Sequence, residues 1–225
     1  MFPGLILLYC QPMKDFQRQF LEYAIQLKII RFGEFTLKSG RISPYFFNAG
    51  LFNTGSKLAM LGKYYAEAAV DSGVQFDMLF GPAYKGIPLV ATTAIALAEN
   101  HKRDVPYAFD RKEAKKHAEG GSLVGAPLAG NVMIVDDVIS SGLSAKYATD
   151  LIRSNGAHPA CILIALDRQE KGLDDVSAVQ EVKDKLGLEV ISIVNLDTLV
   201  AYLSHKGNYT PELEAIHHYR SQYGC

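Results

Sequence analysis

The sequence predicts an α/β protein built on a doubly wound, mainly parallel sheet, and three observations predict it. Short apolar runs of strand length recur through the chain, separated by stretches with helical spacing. The run Val132, Met133, Ile134, Val135 is unbroken rather than alternating, as in a strand covered on both faces. Each run is followed at once by polar or charged residues, which gathers those residues beyond the carboxyl ends of the strands.

The elements follow in order. Asp15 can cap a helix whose Phe16, Phe20, Tyr23, Ala24 and Leu27 share a face. Phe35 and Leu37 alternate with Thr36 and Lys38. A Ser39-Gly40 turn then leads to Tyr45-Phe46-Phe47, which suggests a small two-stranded hood. A helix over about 57–72 stops at Gly73, and residues 78–80 form a buried strand. Helix 86–99 and strand 105–109 come next, then a polar loop to about Gly130. After the central strand, a helix begins near Ser144, carries Ala148, Leu151 and Ile152 on one face, and is capped by Gly156. Strand 160–166, helix 178–186 and strand 190–194 continue the alternation. Two helices end the chain, the last with Thr210 as cap and Pro211 at its first position.

The 225 residues, 48% hydrophobic and 21% charged, suit one domain with a large core. A net charge of -1 argues against a nucleic-acid partner, which a basic excess would favour. Three cysteines, Cys10, Cys161 and Cys225, make no metal or disulfide spacing and point to a reducing, cytoplasmic setting. The apolar residues 5–9 are too few for a membrane span or a signal segment.

The chemistry concentrates after the central strand. Asp136 and Asp137 lead through Val138 and Ile139 into a small-residue loop, Ser140, Ser141 and Gly142, and then a helix start. Free N–H groups and the helix dipole suit a phosphate there. Two carboxylates would repel a bare phosphate, so the ligand should also bring hydroxyls, and a sugar phosphate meets both demands. The competing reading is a capped turn with solvated aspartates. No P-loop, GxGxxG or nucleophilic triad is present.

Residues 111–121 (RKEAKKHAEGG) carry Arg111, Lys112, Lys115, Lys116 and His117; they form either a solvated charge run or a cationic loop that closes over a polyphosphate. In 81–86 (GPAYKG), Tyr84 and Lys85 sit between glycines, in an ordinary turn or one that a ligand approaches closely. Phe46 and Phe47 are core residues or a stacking platform; Lys38 and Arg168, taken alone, are surface cations. The histidines show no metal spacing.

Together, TLKSG (36–40), SPYFFNAGLFNTG (43–55), FGPAYKGIP (80–88), the 111–121 loop, VDDVISSG (135–142) and LDRQE (166–170) resemble the orotate branch of the type I phosphoribosyltransferase family. The resemblance runs from about Met13 to the C-terminus. It implies a single domain over 13–225, with a hood from about 13–56 and the C-terminal helices. Residues 1–12 then read as an extension or the product of an upstream start codon. It further implies transfer of phosphoribosyl from phosphoribosyl pyrophosphate (PRPP) to N1 of orotate, with Mg2+ carried mainly by PRPP and no direct protein ligand to the metal.

By the same resemblance, Arg111, Lys115 and His117 would be catalytic and, with Lys112, would contact the pyrophosphate. Lys112 would come from the partner of a homodimer. Lys38, Tyr84 and Lys85 would line the pyrophosphate side. Asp136 and Asp137 would hold the ribose hydroxyls, and Val138, Ile139, Ser140, Ser141, Gly142, Leu143 and Ser144 the 5′-phosphate. Orotate would lie by Phe46 and Phe47 and meet Ser140 and Arg168. Leu143 stands where the family commonly has threonine, Ala118 where glycine is common, and Lys116 where an acidic residue often sits. A transferase for another base and a non-catalytic PRPP sensor are the competing readings.

Overall fold

An unbroken apolar run belongs in the middle of a sheet, and β6 (Asn131–Val135) lies there. Successive side chains point to opposite faces, so Val132 and Ile134 enter one core while Met133 and Val135 enter the other. Both neighbours, β3 (Met78–Gly81) and β7 (His158–Asp167), pair with β6 in parallel. Outside them lie β4 (Tyr107–Asp110) and β8 (Glu189–Asn195), also parallel, and β5 (Leu123–Gly125) closes the β4 side. The order is β5-β4-β3-β6-β7-β8, and only β5 runs antiparallel to its neighbour. The computed structural model describes residues 13–37, 39–111, 123–140, 142–172 and 176–225; the expected extension at 1–12 lies outside them.

Helices cover both faces, as double winding requires. One face takes α1 (Asp15–Gln26), α2 (Gly55–Asp71), α3 (Gly86–His101) and α6 (Leu196–Lys206), which bury Phe20, Tyr65, Leu97 and Leu203. The other takes α4 (Leu143–Ser154) and α5 (Ala178–Leu186), through Ala148, Ile152 and Val182. Helices α2 and α3 cross at Gly62, where a Cβ would lie 2.4 Å from Thr92 Oγ1 and 2.5 Å from its carbonyl oxygen. At the edge strand β8, Gln17 of α1 donates its amide to the Ile193 carbonyl oxygen at 3.0 Å.

Strands β1 (Ile30–Thr36) and β2 (Ile42–Phe47) form a separate antiparallel sheet with an irregular register between Phe32 and Phe35. Aromatic contacts join it to the body: Phe47 with Phe20 at 6.5 Å between ring centroids, and Phe32 with Tyr209 at 5.7 Å. Arg41 adds a hydrogen bond to the Lys171 carbonyl oxygen at 2.8 Å. Helix α7 (Thr210–Tyr223) closes that side and buries Ile216 and Tyr219.

Four local expectations change. Asp15 is the first residue of α1 rather than its cap, and its carboxylate pairs with Arg18 at 3.0 Å. The N-terminus is fastened instead by the Gln17 side chain, which accepts the Lys14 N–H at 3.1 Å. Thr210 likewise lies inside α7, because Tyr209, with φ −127°, holds the cap position. The segment expected to be loop up to Gly130 contains β5, whose three residues are too few to show a periodicity. Finally, Asn155 caps α4 and Gly156, φ +78°, follows as the left-handed residue beyond it.

Candidate active site

From β3 the chain winds through β4 to one side of the sheet, and from β6 it winds through β7 and β8 to the other. The winding reverses between β3 and β6, and the crevice outside such a reversal is where open α/β sheets take ligands. Two segments flank it: the turn after β3 and the acidic end of β6.

The turn is too tight for side chains at its ends. A Cβ on Gly81 would lie 2.2 Å from the Gly86 carbonyl oxygen, and one on Gly86 would lie 2.7 Å from the Gly81 carbonyl carbon. Gly86 N–H donates to the Pro82 carbonyl oxygen at 2.9 Å. Ala83 N–H donates to Asp110 Oδ1 at 2.5 Å. Tyr84 and Lys85 project from this closed turn, both mainly exposed.

The end of β6 is held from below. Tyr65, fully buried, donates its hydroxyl to the Asp136 carbonyl oxygen at 2.8 Å, and Ala165 N–H donates to that of Asp137 at 2.9 Å. The Asp136 carboxylate accepts the Asp137 N–H at 2.8 Å and the Ser144 hydroxyl at 2.9 Å. Burial, then the charge of Asp137, raises the Asp136 pKa to about 6 despite those bonds. The Lys85 ammonium pairs with the buried Asp137 carboxylate, so turn and strand end meet across the crevice.

Beyond the carboxylates, Val138 packs toward one core and Ile139 toward the other, which fixes the loop between them. Gly142, at φ +67°, takes the N-cap position of α4 without a capping side chain. The first-turn N–H groups of α4 are therefore left for a ligand. A recess of about 40 Å3 lies here, lined among others by Asp136, Ser140, Gly142 and Ser144. Leu143, 71% exposed, offers no hydroxyl, and the Ser144 hydroxyl is engaged with Asp136.

Arg168 is not the surface cation that its sequence context suggests. Its side chain is 16% exposed, stacks on the Tyr45 ring at 4.4 Å, and donates to Glu170 Oε1 at 2.9 Å and to Ser43 Oγ at 3.0 Å. Tyr45 and Phe47 point to the buried side of β2. Phe46 points to the opposite side, stacked on Phe35 at 5.5 Å with the Arg31 guanidinium 5.9 Å from its ring. The structure thus brings Arg168 beside Tyr45 and separates Phe46 from Phe47.

Of the sequence candidates, Tyr84, Lys85, Asp136, Asp137, Val138, Ile139, Ser140, Gly142, Leu143 and Ser144 line the two sides of the crevice or the loop that continues it. Arg111 follows Asp110 where β4 ends. Lys38, Lys112, Lys115, His117 and Ser141 lie outside the described residues. Sequence reasoning missed Asp110, Glu170, Tyr45 and Ser43, which hold these groups in place. The available signal was adjacency, since Asp110 directly precedes the cationic run and Glu170 stands two residues after Arg168.

Residues 52–194 match the phosphoribosyl transferase domain family. The orotate phosphoribosyltransferase of Cronobacter sakazakii is 60% identical over 212 residues, 94% of this chain and all of that protein. That of Vibrio cholerae is 59% identical over the same share of each. The crystal structure of orotate phosphoribosyltransferase from Francisella tularensis superposes with a TM-score of 0.84 at 42% identity, covering 92% of this chain and 100% of that one. The orotate phosphoribosyltransferase of Mycobacterium tuberculosis, 21% identical with a TM-score of 0.64, shares the fold. With a sheet reversal flanked by a closed glycine turn and an acidic strand end, and with this identity along nearly its whole length, the chain belongs to the orotate phosphoribosyltransferase family of type I phosphoribosyltransferases.

Proposed function

We infer that the protein transfers the 5-phosphoribosyl group from PRPP to N1 of orotate, releasing pyrophosphate and orotidine 5′-monophosphate in pyrimidine biosynthesis. The observation that carries this reading is the paired Asp136-Asp137 strand end facing the Tyr84-Lys85 turn, in a chain 60% identical to a named orotate enzyme.

Asp136 and Asp137 accept the ribose 2′ and 3′ hydroxyls, and Lys85 leaves Asp137 for the pyrophosphate as the sugar arrives. The Ser140–Ser144 loop and the first turn of α4 hold the 5′-phosphate with backbone N–H groups. Cleavage of the glycosidic bond builds positive charge on the ribose and negative charge on the leaving group. Cations therefore belong at the pyrophosphate end, and Lys38, Arg111, Lys115 and His117 supply them, with Lys112 from the partner subunit of a homodimer. Orotate lies at the end of β2 by Phe46 and Phe47, whose rings face opposite ways so that at most one stacks on it, with Ser140 and Arg168 meeting its oxygens.

Among the described residues no group of three or more His, Cys, Asp or Glu could hold a metal ion. Mg2+ would be carried mainly by PRPP, since this ion keeps several waters and relies on substrate phosphates. When bound, it supplies positive charge opposite the departing pyrophosphate. Burial, then Glu189, pushes the Cys161 thiol pKa up to about 12 and leaves it unreactive. Among the described residues no helix is long and apolar enough to cross a membrane.

The test is orotate consumption followed by absorbance with PRPP and Mg2+, beside reactions offering uracil, hypoxanthine and adenine. Turnover of orotate alone is expected. Turnover of another base would move the assignment to a different transferase, and PRPP binding without any turnover would make the chain a sensor.

A further inference from the structure

We propose that Asp110 is a positioning residue for PRPP: its buried carboxylate anchors the turn that presents Tyr84 and Lys85, and it does so from the base of the cationic segment. The proposal rests on the function inferred above and adds a residue that the family resemblance did not supply.

The register of the sheet makes this contact possible. Strand β3 pairs with β4 so that Gly81 lies opposite Phe109. One residue further, the two chains part: β3 enters its turn while β4 ends at Asp110. The Asp110 side chain spans that gap and accepts the Ala83 N–H at 2.5 Å. On its other side Asp110 pairs with Leu123 of β5. Asp110 thus ends β4 with the glycine turn on one side and the first residue of β5 on the other.

Asp110 is 2% exposed. A carboxylate taken out of water is costly unless donors meet it, so a buried aspartate at this point reflects what it holds. The Ala83 N–H is one such donor. The Tyr147 hydroxyl of α4 lies beside it as well: burial, then the Asp110 charge, raises the Tyr147 pKa. The glycine turn and the phosphate-loop helix thus converge on one carboxylate. The Ala83 N–H bond ties the middle of the turn to β4, beside the Gly86 N–H bond to Pro82 that closes it and the Lys85–Asp137 pair that joins it to β6. Asp110 itself is sealed behind the turn and touches no substrate, so its effect is carried by the groups it orients.

The experiment measures steady-state kinetics of wild type, Asp110→Ala and Asp110→Asn, varying PRPP and orotate separately, with pyrophosphate alone as an inhibitory probe. Asp110→Ala is expected to raise the PRPP KM about tenfold, the size of one charge-assisted hydrogen bond, and to weaken pyrophosphate inhibition in step. The orotate KM should stay within about twofold, a selectivity that a general loss of packing would not produce. Asp110→Asn keeps an oxygen that accepts the Ala83 N–H, so the PRPP KM should recover to within about threefold of wild type. An unchanged PRPP KM in Asp110→Ala would overturn the proposal, as would an equal rise in both KM values or the absence of any rescue by asparagine. If Asp110→Ala does not fold, Asp110→Leu, which fills the site without an acceptor, takes its place: a rise confined to the PRPP KM supports the anchor, and an unchanged PRPP KM overturns it. Failure of wild type itself to turn over orotate would instead overturn the functional assignment.

Discussion

In the proposed phosphate site, position 143 offers only backbone, because Leu143 is exposed without a hydroxyl and Ser144 is already bound to Asp136. Leu143→Thr adds a donor at the first turn of α4. It should lower the PRPP KM by about fivefold, the effect of one neutral hydrogen bond, measured by varying PRPP at saturating orotate. Asp136 gives a second residue-scale prediction. Its folded-state pKa of about 6 exceeds the ordinary aspartate value of 3.8, so between those values the folded chain holds a proton that the unfolded chain releases. Its contribution to stability is present at low pH and is lost as pH rises through about 6. Asp136→Asn should therefore raise the thermal midpoint more at pH 8 than at pH 5 while turnover collapses. In wild type the PRPP KM should climb as pH falls below about 6, because a protonated Asp136 accepts a ribose hydroxyl more weakly than the carboxylate does. The residue types at 136–144 were legible from sequence. The engagement of Ser144 and the burial of Arg168 were not, because both depend on which distant side chain stands opposite.

Among the elements, the contact between α2 and α3 is the least forgiving. A methyl at Gly62 would meet the Thr92 backbone at 2.5 Å, so the helices must separate or shift. Gly62→Ala should cost about 1–3 kcal/mol of stability, read by denaturant unfolding, with the KM values of the remaining folded enzyme unchanged. The strands and helices themselves were readable because apolar runs and helical faces are long, repeated signals. Strand β5 was not, since Leu123–Gly125 earns its pairing only from the position of β4. The caps at Asp15 and Thr210 shifted for a related reason: several residues in each stretch can serve, and backbone geometry selects one.

For the whole molecule, the decisive prediction concerns sharing between subunits. If Lys112 acts on the partner's crevice, Lys112→Ala and Asp137→Ala are each inactive alone, yet their hybrids carry one crevice with both defects and one with neither. Equal mixtures allowed to exchange subunits should regain up to about a quarter of wild-type activity through random pairing in a two-fold dimer. No recovery, with exchange verified by native mass spectrometry, would place Lys112 in its own subunit's site. The converging sheet edge was legible because strand order and polar strand ends follow from chain pattern. The reversal between β3 and β6, and the convergence on Asp110, needed the three-dimensional pairing.

The amide of Gln17 resting on the Ile193 carbonyl oxygen has a consequence outside catalysis. An open sheet ends in a rim of unpaired donors and acceptors, and β8 is such a rim, a ready template for a strand from another molecule. With α1 laid along it and Gln17 occupying one acceptor, that template is partly blocked. The helix therefore covers part of that edge, and a chain stripped of it would expose the strand template together with the core face that Phe20 fills.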